Sequence, residues 1–155
     1  MSATEVLKAA RARGVMIATA ESCTGGMVAA ALTDIAGSSA VVDRGFVTYS
    51  NAAKMDMLGV SADTLEAHGA VSEQVAAEMA EGALRHSLSQ LTVSITGIAG
   101  PGGSEHKPEG RVCFGLAMTG RPTRTETVEF GAPGRDRVRC LSRDHALALL
   151  LGALV

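Results

Sequence analysis

A chain of 155 residues, 46% hydrophobic and 19% charged, has apolar material for one globular core and too little charge for a disordered tract. Its net charge of −2, with no Lys/Arg run, argues against a partner held by its phosphate backbone, so no nucleic acid is expected. Aromatics make up only 3%, which leaves the core to Ala, Val, Leu, Ile and Met.

Ser2-Ala3-Thr4-Glu5 reads as a capping box opening a helix that Gly14 ends. Val15 to Ala20 is an apolar strand, followed by Glu21-Ser22-Cys23-Thr24-Gly25-Gly26 and a helical pattern to Ile35. Ala36 to Ser39 is a loop, and Ala40 to Ser50 holds the strand signal Phe46-Val47-Thr48-Tyr49. Asn51 to Leu58 and Ser61 to His68 predict short helices, and Ser72 caps a longer one to Ser87. Leu91 to Thr96 is a buried strand running into the Gly-rich Gly97 to Gly103. Arg111 to Thr119 and Thr123 to Phe130 form a hairpin about Gly120-Arg121-Pro122, and Asp136 to Leu154 is the last helix. Strands alternating with helices, plus one hairpin, define a single α/β domain over 1–155: a three-layer α/β/α arrangement with a mixed, mostly parallel sheet. Ligands gather at the carboxyl ends of strands in such folds, where both Gly-rich segments lie.

The three cysteines, Cys23, Cys113 and Cys140, are widely spaced and show no CxxC or Cys/His zinc pattern. Free thiols in the cytoplasm are expected, with no metal and no cofactor. The N-terminus has no signal-peptide stretch, and Ala146 to Val155 is too short to cross a bilayer, so no membrane partner is expected.

Four constellations carry chemistry. At the strand-to-helix turn, Ser22 is either a helix cap or an exposed nucleophile, and Thr24, Gly25 and Gly26 form a donor platform for a ligand or oxyanion. Cys23 beside it has no His partner and reads as a small buried residue. The second group is Ser38-Ser39, Tyr49 and Lys54; Lys54 is either a solvated surface lysine or, in a dry site, a base that loses its proton and serves a serine, with the Tyr49 hydroxyl relaying a proton or orienting the pair. In the third, Thr96, Gly97 and Gly100 lie in a loop that either cradles a ligand or merely connects. The fourth is Arg135, Arg137 and Arg139 at the start of the last helix, a phosphate site or a solvated basic turn.

Together Ala20 to Gly26, Thr33 to Ser39, Arg44 to Asn51, His68 to Glu73 and Ile95 to Pro101 resemble, in order, the motifs of the CinA C-terminal domain family. The resemblance runs from Ala3 to Leu150. It implies a metal-independent serine amidohydrolase that converts nicotinamide mononucleotide and water to nicotinic acid mononucleotide and ammonia, in pyridine nucleotide recycling. The substrate is then a small nucleotide, and a homo-oligomer stays open. Ser22, Ser39, Tyr49, Lys54 and Thr96 match the family's active-site positions, and an arginine of 135–139, with Arg137 and Arg139 the candidates, matches its phosphate side. Lys54 is the base on that reading. Ser39 is the slightly preferred nucleophile, since Ser22 sits where the oxyanion donors concentrate; the elbow-like place of Ser22 is the counter-argument. Gly100-Pro101-Gly102-Gly103 is one residue shorter than the Gly-Pro-Asp-Gly-Gly or Gly-Pro-Gly-Gly-Gly of many members. Larger members carry a further N-terminal domain, so a stand-alone form is expected. The rival readings are a non-catalytic nucleotide-binding module, which would be free to lose Lys54, and a metal-dependent hydrolase of another nucleotide such as ADP-ribose, which would want clustered carboxylates.

Overall fold

The computed structural model describes residues 3–155, so the capping role assigned to Ser2 lies outside the described residues. The elements in chain order are α1 (Ala3–Arg13), β1 (Ile17–Glu21), α2 (Met27–Thr33), β2 (Val42–Val47), α3 (Asn51–Leu58), α4 (Ala62–His68), α5 (Glu73–Arg85), β3 (Leu91–Gly97), β4 (Arg111–Met118), β5 (Arg124–Glu129) and α6 (Arg135–Leu154). A single 3-10 turn, Ser38–Ala40, occupies part of the segment expected as loop.

The five strands form one sheet in the order β2-β1-β3-β4-β5. β1 is parallel to β2 and β3, while β4 is antiparallel to β3 and β5. Four of the five strands therefore point the same way, and the sheet is mixed and mostly parallel. β1 is buried along its whole length and β3 at all but its last residue, as apolar runs covered on both faces must be. One face carries α1, α2 and α6 and the other α3, α4 and α5, giving three layers. Ile17, Val93, Ile95, Phe114 and Leu150 anchor the larger core, on the α1/α2/α6 side. Leu58, Val75, Met79 and Ala83 anchor a second core between α3 and α5.

Ser50, Ser61 and Ser72 cap α3, α4 and α5 through their hydroxyls. The layers close tightly where a side chain is missing. A Cβ on Gly115 would overlap the Ala76 carbonyl of α5, and one on Gly82 would overlap the Leu58 carbonyl of α3. β2 ends at Val47, short of the expected Ser50. The reason is local: the Thr48 and Tyr49 carbonyls turn inward onto the Lys54 ammonium. After β1 the chain goes to one side for β2, then crosses to the other side for β3. This reversal opens a crevice at the carboxyl end of β1, where Ser22 follows directly.

Candidate active site

Ser22 is held at the end of β1 by its own N–H, which donates to the Ile95 carbonyl (2.9 Å). The turn behind it is organised by Glu21. This carboxylate is 0% exposed; it accepts from Thr24 Oγ1 (2.6 Å), Val28 N (3.0 Å) and Ala29 N (3.0 Å). Glu21 thus satisfies the first free N–H groups of α2 and complements its positive end. The sequence pattern had assigned those donors to a ligand; a residue of the preceding strand takes them instead. Gly25 and Gly26, with φ of 59° and 109°, supply the left-handed backbone that the turn needs.

Lys54 arrives from α3 and is 1% exposed. Its Nζ donates to Thr48 O (2.9 Å) and Tyr49 O (3.3 Å), and lies 3.0 Å from Ser22 Oγ. Carbonyl oxygens can only accept. Two N–H bonds of Lys54 are therefore fixed on those carbonyls, and the third tetrahedral position faces the Ser22 hydroxyl. As an ammonium Lys54 donates to Ser22 Oγ, whose own hydroxyl donates to Tyr49 O (3.5 Å). In the neutral amine that position becomes a lone pair facing the serine oxygen, and the hydroxyl must rotate from Tyr49 O to offer it the proton. Burial favours the neutral state by pushing the Lys54 pKa down, opposed by the Glu105 carboxylate. Cys23 is buried as well, and loss of water pushes its thiol up to about 12, so it is no thiolate nucleophile at neutral pH.

Ser22 and Lys54 open onto a cleft of about 340 Å³. Its lining combines Tyr49 and Asn51, Ala70 and Val71, Thr96 to Glu105, and Arg135. Thr96 Oγ1 donates to Ala70 O (2.9 Å) and ties β3 to the turn before α5. Gly97 and Gly100 line the cleft with backbone alone. Ser22, Lys54 and Tyr49 come from the segment β1–α3, whereas most of the remaining wall comes from residue 96 onward.

Several expected residues take other places. Ser39 stands in the 3-10 turn before β2 and is not part of the cleft. β1 and β2 are parallel, so a residue preceding β2 and one following β1 lie at opposite ends of the sheet, about 16 Å apart along β2. Tyr49 reaches Lys54 through its carbonyl; its hydroxyl, on a 63% exposed side chain, accepts from Arg135 Nη2 (3.1 Å) at the rim. Thr24, Gly25 and Gly26 shape the turn and do not line the cleft. Arg139 braces that turn from behind, donating to Cys23 O (3.0 Å) and Thr24 O (3.4 Å). Arg137 is exposed and also outside the cleft. The arginine that lines it is Arg135, which also donates to Gly100 O (2.6 Å). Sequence reasoning named the 135–139 stretch but favoured Arg137 and Arg139, two and four residues beyond the arginine that lines the cleft, and it did not single out Glu105. Among the described residues no group of three or more His, Cys, Asp and Glu side chains could hold a metal ion. No helix among them is long and apolar enough to cross a membrane.

An α/β domain with a buried lysine against a serine at its strand-order reversal is the class this geometry defines, and comparison with known proteins places it. The chain belongs to the CinA C-terminal domain family, whose model matches residues 1–154. It is 54% identical over 147 residues to the nicotinamide-nucleotide amidohydrolase PncC of Escherichia coli strain K12, covering 94% of this chain and 88% of that protein. It is 58% identical over 139 residues to a CinA-like protein of Chlorobium phaeobacteroides, covering 88% of this chain and 33% of that longer protein. The crystal structure of the competence/damage inducible protein CihA from Agrobacterium tumefaciens superposes with a TM-score of 0.94 at 48% identity, covering 97% of this chain and 92% of that one.

Proposed function

We propose that this chain is a nicotinamide-nucleotide amidohydrolase that cleaves the carboxamide of nicotinamide mononucleotide, releasing nicotinic acid mononucleotide and ammonia, in cytoplasmic pyridine nucleotide recycling. The observation that carries the reading is the buried Lys54 Nζ at 3.0 Å from Ser22 Oγ, with two carbonyls fixing its remaining hydrogens. The likeness to the Escherichia coli PncC supports the choice of substrate.

In the first step neutral Lys54 takes the Ser22 proton as Oγ attacks the amide carbon. The N–H of Cys23, the residue that follows the nucleophile, is the backbone donor we assign to the oxyanion. The protonated Lys54 then gives its proton to the leaving amine, ammonia departs, and an ester joins the nicotinoyl group to Ser22. Water, deprotonated by Lys54, hydrolyses that ester and restores the serine. Arg135 at the rim is the guanidinium for the substrate phosphate.

The deciding measurement is ammonia release on adding nicotinamide mononucleotide with a metal chelator present. Steady turnover is expected, lost by at least about 1000-fold in Ser22→Ala, the scale on which an acyl-transfer centre collapses without its nucleophile, and kept within about twofold in Ser39→Ala. No ammonia from the wild-type protein removes the reading. Loss of turnover in Ser39→Ala with retention in Ser22→Ala reverses the choice of nucleophile.

A further inference from the structure

Three charged side chains line the cleft: Lys54, Arg135 and Glu105. Lys54 is committed to Ser22, and Arg135 is held at the rim by Gly100 O and the Tyr49 hydroxyl. Glu105 is the one carboxylate. No hydrogen bond or ion pair among the described residues reaches it, yet its position is fixed with some effort. Glu105 and His106 have φ of 51° and 64°, and their turn is closed by Ser104 N to Lys107 O (3.0 Å) and Lys107 N to Ser104 O (2.8 Å). Such a turn normally carries Asn-Gly or Asp-Gly, and a left-handed residue with a side chain costs roughly 1–2 kcal/mol. Strain of this kind persists where the surroundings enforce it. Here Lys107 Nζ does so, donating to His68 O and Val71 O, both at 2.6 Å. The carboxylate is exposed and rests on Gly69, where a Cβ would overlap Glu105 Oε2 and lie 3.0 Å from Lys107 Nζ. The Lys107 ammonium, spent on its two carbonyls, is therefore a neighbouring charge.

A carboxylate at the edge of a cleft, with no hydrogen bond or ion pair among the described residues, favours a cation. The nucleotide of the proposed reaction has one, because its ring nitrogen is bonded to ribose and the ring is a pyridinium. Its other charge is the phosphate. We infer that Glu105 selects a cationic ring, so that the cleft prefers zwitterionic nucleotides, pyridinium toward Glu105 and phosphate toward Arg135, over amides on neutral rings. This inference rests on the amidohydrolase reading for the identity of the ligand. It also couples recognition to chemistry. The ionisable groups facing Lys54 are the Cys23 thiol, from the β1–α2 turn, and Glu105; the Tyr49 phenol and Arg135 line the same cleft. A pyridinium docked on Glu105 offsets the carboxylate that holds the proton on Lys54, and so favours the neutral base.

The test compares nicotinamide mononucleotide with its 1,4-dihydro form, which keeps the amide, ribose and phosphate but has an uncharged ring. Calorimetric titrations use a Ser22→Ala background, so the amide survives, with and without Glu105→Gln. Ammonia release and pH profiles use Ser22-intact protein. The affinity ratio, cationic over neutral, is expected to be about tenfold with Glu105 and to approach one with Glu105→Gln. Glu105→Asp, which keeps the charge, should retain part of the preference. In Glu105→Gln the acidic limb of kcat/KM should move to lower pH. An affinity ratio unchanged by Glu105→Gln overturns the inference, as does an equal weakening of both nucleotides. The two readings fail separately. Ammonia release with a Glu105-independent ratio leaves the amidohydrolase and removes the cation site. A Glu105-dependent ratio without ammonia release does the reverse, and a protein that neither binds nor hydrolyses the nucleotide removes both.

Discussion

In the proposed reaction Lys54 concentrates the proton chemistry in one side chain. Burial destabilises its ammonium, and two carbonyls aim what is left when the proton goes. Replacing it with Ala should leave the far-ultraviolet circular dichroism intact and lower kcat by at least about 1000-fold, within the range general-base removal reaches at such centres. Retention of more than about a tenth of kcat, some 1.4 kcal/mol of barrier, would remove Lys54 from the role of base. The pH profile has a definite sign. Only the neutral amine accepts the serine proton, and burial lowers the pKa from the ordinary 10.5, so kcat/KM should climb with pH along an acidic limb whose midpoint lies below 10.5. A midpoint at or above that value would show that burial does not tune the residue. Lys54 was visible in the sequence as a lysine on the first turns of a helix after a strand. Choosing between Ser22 and Ser39 needed strand direction. Once β1 and β2 are parallel, the residue after one and the residue before the other cannot meet, and spacing along the chain does not carry that fact.

At the scale of elements, the sequence disclosed helices and strands wherever local chemistry alone decides them. α5 begins at the Ser72 cap in sequence and structure alike, α3 spans the expected Asn51–Leu58, and the β4–β5 hairpin matches its turn signal. What stayed hidden were ends settled by side chains of a neighbouring element, which element propensity does not register. β2 stops because its last carbonyls serve Lys54, and the α2 donors are taken by Glu21. Helix-on-helix fit makes a sharp prediction. Gly82→Ala gains roughly 1 kcal/mol of helix propensity, but its methyl overlaps the Leu58 backbone, an overpacking worth about 1–3 kcal/mol. Neither helix can yield without disturbing the core that Leu58, Val75 and Met79 share. Net destabilisation is therefore expected, read as a lower denaturant midpoint. Gly152→Ala in α6, where the added methyl meets no atom within 4 Å, should leave that midpoint unchanged or raise it. The same response from both variants would discount close α3–α5 contact.

For the whole molecule, a buried lysine ties stability to pH. Its folded pKa lies below the unfolded 10.5, so between those two values the unfolded chain binds more protons and stability rises with pH. Thermal melts of the wild-type protein and Lys54→Met should show the difference between them shifting in favour of wild type as pH approaches 10.5. A difference independent of pH across that range would contradict the lowered pKa. The layered α/β/α arrangement was open to inference from alternating elements, whereas the composition of the cleft was not, because it depends on which loops the strand order brings together. That order also divides labour along the chain. The proposed reacting pair, Ser22 and Lys54, belongs to one β-α-β unit and its following helix, while Glu105 and Arg135 arrive from the later half. Substitutions in the later half can thus alter which amide is admitted without moving the atoms that break it. Descendants of this scaffold are free to change diet while keeping the same teeth.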